Sequence, residues 1–138
     1  MMVKNSKIGS NCAQYLFETS TWIRLIDFLH QETAYLKTRL SEVLDEIDDK
    51  EHLALAEHFQ NQFIIKDDVY DHMKHDLKKH IENWQQYIYT ENTPLNQSLL
   101  KIHTRLKEQI DYIERDHSIL RKDYNAYLIN LVKYPTLN

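Results

Sequence analysis

The chain has 138 residues and a formal net charge of −4, with one glycine, two prolines and one cysteine. So few turn residues disfavour β-rich folds, and a single glycine excludes the glycine-rich loops that bind nucleotides. Acidic and basic residues are interspersed, so we expect no basic surface that would attract nucleic acid. A lone cysteine cannot form a disulfide within the chain, which is typical of a cytoplasmic protein.

The N-terminal segment shows no targeting pattern. It reads "MMVKNSKIGSNC", with a little positive charge and no apolar segment behind it, and no run of about 18 apolar residues follows anywhere in the chain. We therefore expect neither a signal peptide nor a membrane anchor. We predict a flexible tail over residues 1–11 and a single helical-bundle domain over residues 12–134.

The first predicted helix carries apolar residues at intervals of three and four, the spacing of a heptad repeat. The series contains one polar member, Thr33, and its apolar members are Trp22, Ile26, Leu29, Leu36, Leu40, Val43 and Ile47. Asn11 and Gln14 have capping-box spacing, which favours a start near Asn11, with residues 19–21 as the alternative start.

Two further helices are predicted by the same periodicity. Acidic residues crowd positions 45–51 and favour a helix N-terminus, so the second helix is expected to begin near Asp48, a continuous kinked helix being the alternative. Its apolar series contains Lys66 and ends before Thr93 and Pro94, which have the order of an N-cap and a first helical residue. The third series, which contains His117, ends at Pro135. The apolar members of these two series are Phe59, Phe63, Tyr70, Met73, Leu77, Ile81, Trp84 and Ile88, then Leu95, Leu99, Ile102, Leu106, Ile110, Ile113, Leu120, Tyr124, Tyr127 and Leu131.

Three segments of similar length with short connections favour one architecture. Each segment is about 35 to 40 residues long, or roughly 55 to 60 Å as a helix. We therefore predict an all-α fold, an antiparallel up-down-up bundle of three long helices with coiled-coil-like packing. A four-helix bundle with a break near residues 60–67 is the alternative.

The three polar seam residues predict a polar layer at mid-bundle. Antiparallel pairing puts them within about one helical turn of the same level, with Glu32 also flanking it. The layer is assigned Thr33, Lys66, His117, Glu114 and His30. A polar residue in an apolar seam sets the register of helix packing, and a pocket for a metal or small ligand is the alternative role.

Metal binding receives little support from the histidines. Glu114 and His117 have the Glu-x-x-His spacing of di-iron bundles, but the chain has no second copy of this pattern. His72 and His75 point away from the predicted core, and His80 lies at its edge, which indicates a solvated helix face. We expect no metal and no cofactor, with Glu114 and His117 as the alternative metal ligands.

A second set of apolar residues lies outside the predicted seams and indicates a contact surface. The set consists of Phe17, Phe28, Tyr35, Ile64, Ile65, Tyr112 and Ile119. We predict a protein without catalytic residues that acts through helix-mediated association, as a homodimer or with another helical protein. The alternatives are a monomer whose N-terminal segment folds back, and a bundle that binds a metal or small ligand at the polar layer.

Overall fold

The described residues of the computed structural model form three α-helices, α1 (Met2–Leu44), α2 (Lys50–Thr90) and α3 (Thr93–Lys133). The structure describes residues 2–90 and 93–133, with the side chains of residues 12–88 and 97–131, and contains no strand within these ranges. The predicted all-α fold with three long helices is confirmed. Because α2 continues through residues 60–67, the four-helix alternative is wrong.

The start of α1 differs from the prediction. The helix begins at Met2 rather than near Asn11, so it includes residues of the segment predicted as a flexible tail. Its first part contains no proline, and a glycine inside a helix, here Gly9, costs only about 1 kcal/mol relative to alanine. Nothing in this stretch therefore stops the helix.

The connection between α1 and α2 is a short turn, so the continuous kinked helix is wrong. Asp49, rather than Asp48, caps α2. Its carbonyl accepts the first helical hydrogen bond, from Leu53 N at 2.9 Å, and its carboxylate lies 2.5 Å from Nδ1 of His52. The hydrogen bond with the His52 side chain, with help from the backbone N–H groups of Glu51 and His52, lowers the pKa of Asp49. The acidic cluster therefore starts a helix because its carboxylate satisfies N–H groups that have no partner within the helix.

Beyond the second helix, α3 begins at Thr93, at the predicted boundary. The predicted end at Pro135 lies outside the described residues. Within the described ranges, no helix is both long and apolar enough to cross a membrane.

The chain divides into two compact units, and each contains segments of all three helices. The first unit comprises Met1–Asp27 and Asp71–Tyr112, and the second comprises Phe28–Tyr70 and Ile113–Asn138. Each unit therefore has its own core and its own set of buried polar side chains.

The core of the first unit contains an aromatic cluster. Its buried cluster consists of Cys12, Trp84, Tyr87 and Leu99. Tyr15 stacks on Trp84 with ring centroids 4.9 Å apart, and Lys74 pairs with Asp27 at 3.2 Å. From the first contact to the second, the residue number increases along α1, from Tyr15 to Asp27, and decreases along α2, from Trp84 to Lys74. The two helices therefore run antiparallel in this unit.

The core of the second unit also contains aromatic side chains. Its buried cluster consists of Leu36, Leu40, Ala56, Phe59, Phe63, Tyr124 and Tyr127. Phe63 packs edge-on against Tyr124 with ring centroids 5.3 Å apart, and Tyr70 bonds to His117. These contacts show that α2 and α3 run antiparallel in this unit, which fixes the level at which the polar side chains meet.

Candidate functional site

A hydrogen-bonded network in the second unit contains two of the five residues assigned to the predicted polar layer. The hydroxyl of Tyr70 lies 2.6 Å from Nδ1 of His117, and Nε2 of His117 lies 2.7 Å from Oε1 of Glu32. Thr33 donates its hydroxyl hydrogen to the carbonyl of Leu29 at 2.9 Å and also bonds to Tyr70. Thr33, Tyr70 and His117 are buried. We call these residues and Glu32 the second-unit network.

The second-unit network can be written with His117 in either charge state. Its Nε2 donates to the Glu32 carboxylate in both, since an ionised carboxylate only accepts. If Tyr70 donates to a neutral His117, the hydroxyl of Thr33 turns from the carbonyl of Leu29 to donate to Tyr70; if Tyr70 donates to Thr33 instead, it accepts from a charged His117. The network therefore does not fix the charge of its histidine.

Electrostatics keep Glu32 ionised and Tyr70 protonated. Burial raises the pKa of Glu32, but the hydrogen bond with His117 and the charge of Arg121, whose Nη1 lies 3.1 Å from Oε1, outweigh it and lower that pKa overall. Burial, with the negative charges of Asp116, Asp67 and Glu32, raises the pKa of Tyr70 to about 12. At neutral pH the ionised carboxylate of Glu32 therefore faces the guanidinium of Arg121.

Lys66 and His30 lie beside this network without joining its hydrogen bonds to His117. Lys66 forms an ion pair with Asp116 on α3. His30 lies 3.5 Å from Oδ1 of Asp67, and its ring packs against Tyr70 with centroids 5.9 Å apart. Both side chains thus border the layer that the sequence predicts.

Glu114 is exposed and lies outside the network. It precedes His117 by three residues, which leaves it about 60° away around the helix. The carboxylate that reaches His117 comes instead from Glu32 on α1. Both imidazole nitrogens of His117 are engaged in hydrogen bonds, with Tyr70 and with Glu32. Among the described side chains, no group of three or more His, Cys, Asp or Glu could hold a metal ion.

The first unit contains a second buried polar network that the sequence reasoning missed. Trp84 Nε1 donates to Nε2 of His80 at 2.8 Å, and the same nitrogen lies 3.0 Å from Nδ1 of His103. Nε2 of His103 lies 2.8 Å from Oε2 of Glu18. His80 and His103 are only 2% and 5% exposed. We call Glu18, His80, Trp84 and His103 the first-unit network.

The donors and acceptors of the first-unit network favour one protonation pattern. An indole N–H only donates, so Nε2 of His80 must accept and its proton must lie on Nδ1. Nδ1 of His103 lies 3.0 Å from the same nitrogen, and a hydrogen on this Nδ1 that shares the lone pair with Trp84 avoids two lone pairs facing each other. Nε2 of His103 faces an ionised carboxylate and must donate as well. This pattern of donors and acceptors makes His80 neutral and favours an imidazolium at His103, paired with Glu18.

Aromatic rings enclose the charged His103. Ring centroids of Trp22, Tyr15 and Trp84 lie 4.6, 4.8 and 6.1 Å from that of the imidazole. Cations are stabilised by aromatic rings at about these distances. Burial, with a smaller contribution from the neighbouring His103, lowers the pKa of His80 to about 4, so His80 is neutral at neutral pH.

A sequence signal for the first-unit network exists. The spacing from Glu18 to Glu32 is 32 − 18 = 14 residues, and that from His103 to His117 is 117 − 103 = 14, or two heptads in each helix. His103 also lies four residues after Leu99 and three before Leu106, a seam position as good as that of Ile102. His80, assigned by sequence to a solvated edge, is buried because Trp84 and His103 cover it.

The chain matches no family model, no curated protein and no solved structure. Function is therefore inferred from its own residues.

The apolar residues predicted to form a contact surface are all exposed, by 50% to 66%. Phe17 and Tyr112 belong to the first unit, and the second unit contains Phe28, Tyr35, Ile64, Ile65 and Ile119. Phe28 and Tyr35 are one heptad apart and so lie on one face of α1. The alternative monomer, whose N-terminal segment folds back, requires a turn before Phe28. The structure has no such turn between Met2 and Leu44, because α1 is continuous there.

Proposed function

We propose that the protein is a non-catalytic helical bundle that acts by helix-mediated association with a second copy of itself. The observation that carries the proposal is the exposure of Phe28 and Tyr35 on one face of α1, at 56% and 63%. Both are large apolar side chains, and each recurs one heptad from the other, the spacing at which helices pair along a seam. In a symmetric contact through this face, Phe28 and Tyr35 of both copies would be buried.

The energetics favour such a contact. Complete burial of a large apolar side chain contributes about 1.5–3 kcal/mol, and two copies contribute two aromatic pairs. Ile64 on α2, which is half exposed in the same unit, adds to the apolar surface. Surfaces of this kind on a helical bundle usually mark an interaction site.

The proposed setting is the cytoplasm, with neither nucleic acid nor a membrane as partner. The only cysteine of the chain is Cys12, which is buried against Trp84 and Tyr87 and fits a reducing compartment. The net charge of −4 favours a protein partner over a nucleic acid.

Sedimentation velocity over a range of micromolar concentrations tests the proposal. We expect a concentration-dependent dimer for the unmodified chain and a monomer for the double variant Phe28→Ser with Tyr35→Ser. Circular dichroism should show equal helix content for the two proteins, because both replaced side chains are exposed.

A matched control removes an exposed apolar side chain of the same unit that is not part of the proposed surface. Ile129 on α3 is 55% exposed, and Ile129→Ser should leave the dimer unchanged. A chain that remains monomeric at high micromolar concentration would contradict the proposal. A dimer that survives the double variant would contradict the assignment of the surface.

A further inference from the structure

The first-unit network cannot take up a second proton at His80 and keep its hydrogen bonds. Nε2 of His80 lies 2.8 Å from Nε1 of Trp84, and an indole N–H can only donate. A hydrogen on that Nε2 would face the indole hydrogen, whichever charge His103 carries. Nδ1 of His80 is buried and has no partner among the described residues, so it offers no acceptor in exchange. The imidazolium form of His80 is therefore incompatible with the packed network.

The charged groups around His80 come from all three helices and have both signs. They are Glu18 on α1, Asp76 and Lys79 on α2, and His103 and Arg105 on α3, and the titratable side chains of Cys12, Tyr15 and Tyr87 pack against Trp84. Among these groups, no carboxylate bonds to either ring nitrogen of His80. A protonated His80 thus has no bonded counter-ion in the packed unit.

Opening of the unit removes this restriction. Burial, with a smaller contribution from His103, lowers the pKa of His80 from 6.5 to about 4 in the packed unit. In the open form the imidazole regains water, so the open form binds the proton more tightly. The contribution of a neutral His80 to packing is present above pH 6.5 and is lost as the pH falls toward 4. From these two pKa values, the equilibrium constant for opening rises about 20-fold between pH 7 and pH 5.

The second-unit network responds to acid only at lower pH. Its His117 bonds to the hydroxyl of Tyr70 and to the carboxylate of Glu32, so the imidazolium form has an acceptor at both ring nitrogens. Burial raises the pKa of Glu32, but the hydrogen bond with His117 and the charge of Arg121 hold it below 4.5 overall. At pH 5, acid therefore acts on the first-unit network and leaves the second-unit network intact.

We propose that the first unit opens in mild acid while the second unit stays packed, because a protonated His80 cannot remain beside the indole N–H of Trp84. Opening exposes the aromatic core of the first unit, including Cys12, which is 1% exposed in the packed form. Self-association through Phe28 and Tyr35 concerns the second unit, so the two proposals are tested separately.

Modification of Cys12 in the full-length chain tests this opening. Cys12 is the only cysteine and is buried in the first-unit core, so it reacts when that unit opens. The rate of its reaction with dithiodipyridine, which modifies thiols in acid as well, is measured at pH 7 and pH 5 and divided by the rate for the urea-unfolded chain at the same pH. We expect this ratio to rise about 20-fold, in proportion to the open population.

A matched reporter places the thiol in the second unit. Ala56 is buried in the second-unit core, and the double variant Cys12→Ser with Ala56→Cys moves the only cysteine there. Its ratio should stay nearly constant between pH 7 and pH 5, above the range in which Glu32 takes up a proton. An equal rise at the two positions would show that acid unfolds the chain as a whole and would overturn the proposal.

Substitution of the histidine identifies the group that takes up the proton. The amide oxygen of His80→Gln accepts from Trp84 and does not titrate, so the rise at Cys12 should disappear while circular dichroism shows unchanged helix content. His75→Gln is the matched control, because His75 is exposed on the same helix, and it should keep the full rise.

Two further results would overturn the proposal. The first is a constant ratio at Cys12 in the unmodified chain between pH 7 and pH 5. The second is an unchanged rise in a folded His80→Gln variant. The comparison of the two thiol positions needs no change at His80, so it decides the proposal even where that variant fails to fold.

Discussion

The two buried networks use the same glutamate and histidine spacing but different partners on α2. In each unit a glutamate of α1 bonds to a histidine of α3. The α2 partner is Tyr70 in the second unit, whereas Trp84 and His80 complete the first-unit network. The hydrogen-bonding capacity of the α2 partner, rather than the shared pair itself, therefore determines which charge states the histidine can adopt.

Tyrosine and tryptophan account for this contrast. The tyrosine hydroxyl donates or accepts, so His117 can adopt two charge states. The indole only donates, which fixes the tautomer of His80 and, through it, favours the imidazolium of His103. The first unit thus favours a fixed ion pair, and the second contains an adaptable one.

The largest expected effect is a loss of stability in acid that arises from His80. Its pKa falls from 6.5 in the unfolded chain to about 4 in the folded one, so between these pH values the unfolded state binds the additional proton. This contribution to stability is present above pH 6.5 and is lost as the pH falls toward 4. The loss attributable to His80 is roughly 3 kcal/mol.

Urea denaturation at several pH values, followed by the fluorescence of Trp22 and Trp84 together with circular dichroism, measures this loss. His75→Gln is the control, because His75 is exposed, and its acid dependence should match that of the unmodified chain. Equal stability at pH values above and below this window would contradict a neutral His80.

A substitution that removes charge and keeps an acceptor compares the two glutamates directly. Glu18→Gln leaves a buried imidazolium without its counter-ion and should cost about 2 kcal/mol. Glu32→Gln should cost less, about 1 kcal/mol, because His117 can become neutral and still donate to the amide oxygen. Urea denaturation at neutral pH measures both, and an equal or reversed order would remove the distinction between the networks.

Much of this arrangement follows from the sequence, and the rest depends on small rotations. The heptad seams predict three helices, and Thr33 and His117 stand out as polar members of those seams, which the structure buries. The buried face of a straight helix rotates by about 20° per heptad relative to an exact seven-residue repeat. On α3 this rotation buries His103 more fully than Ile102. Seam membership alone cannot predict this shift.

The roles of tyrosine, tryptophan and glutamate in the networks also have little signal in the sequence. The sequence places Tyr70 and Trp84 in an apolar seam, although a buried hydroxyl or indole N–H needs a partner. Glu18 and Glu32 lie at the seam's edge, where the long side chain reaches across to α3. The start of α1 at Met2 was missed because no residue before Asn11 acts as a strong helix signal.

A smaller effect is expected from the tyrosine that makes the second network adaptable. Tyr70→Phe removes the hydroxyl between His117 and Thr33 and should cost about 1 kcal/mol at neutral pH. NMR of the His117 imidazole should show a changed protonation pattern. An unchanged stability and an unchanged imidazole spectrum would mean that the hydroxyl is not part of the network.

The smallest effect is expected at the border of the second-unit network. Lys66 and Asp116 are partly exposed, and an ion pair of this kind contributes roughly 0 to 1 kcal/mol. Lys66→Met should therefore change the free energy of unfolding by less than about 1 kcal/mol in urea denaturation. A larger loss would place Lys66 within the network rather than beside it.

Nitrogen-15 NMR of the histidine side chains at neutral pH reports the protonation of His80 and His103. We expect both nitrogens of His103 to be protonated and His80 to be the neutral tautomer with its hydrogen on Nδ1. A neutral His103, or a His80 protonated on Nε2, would contradict the ion pair of the first unit.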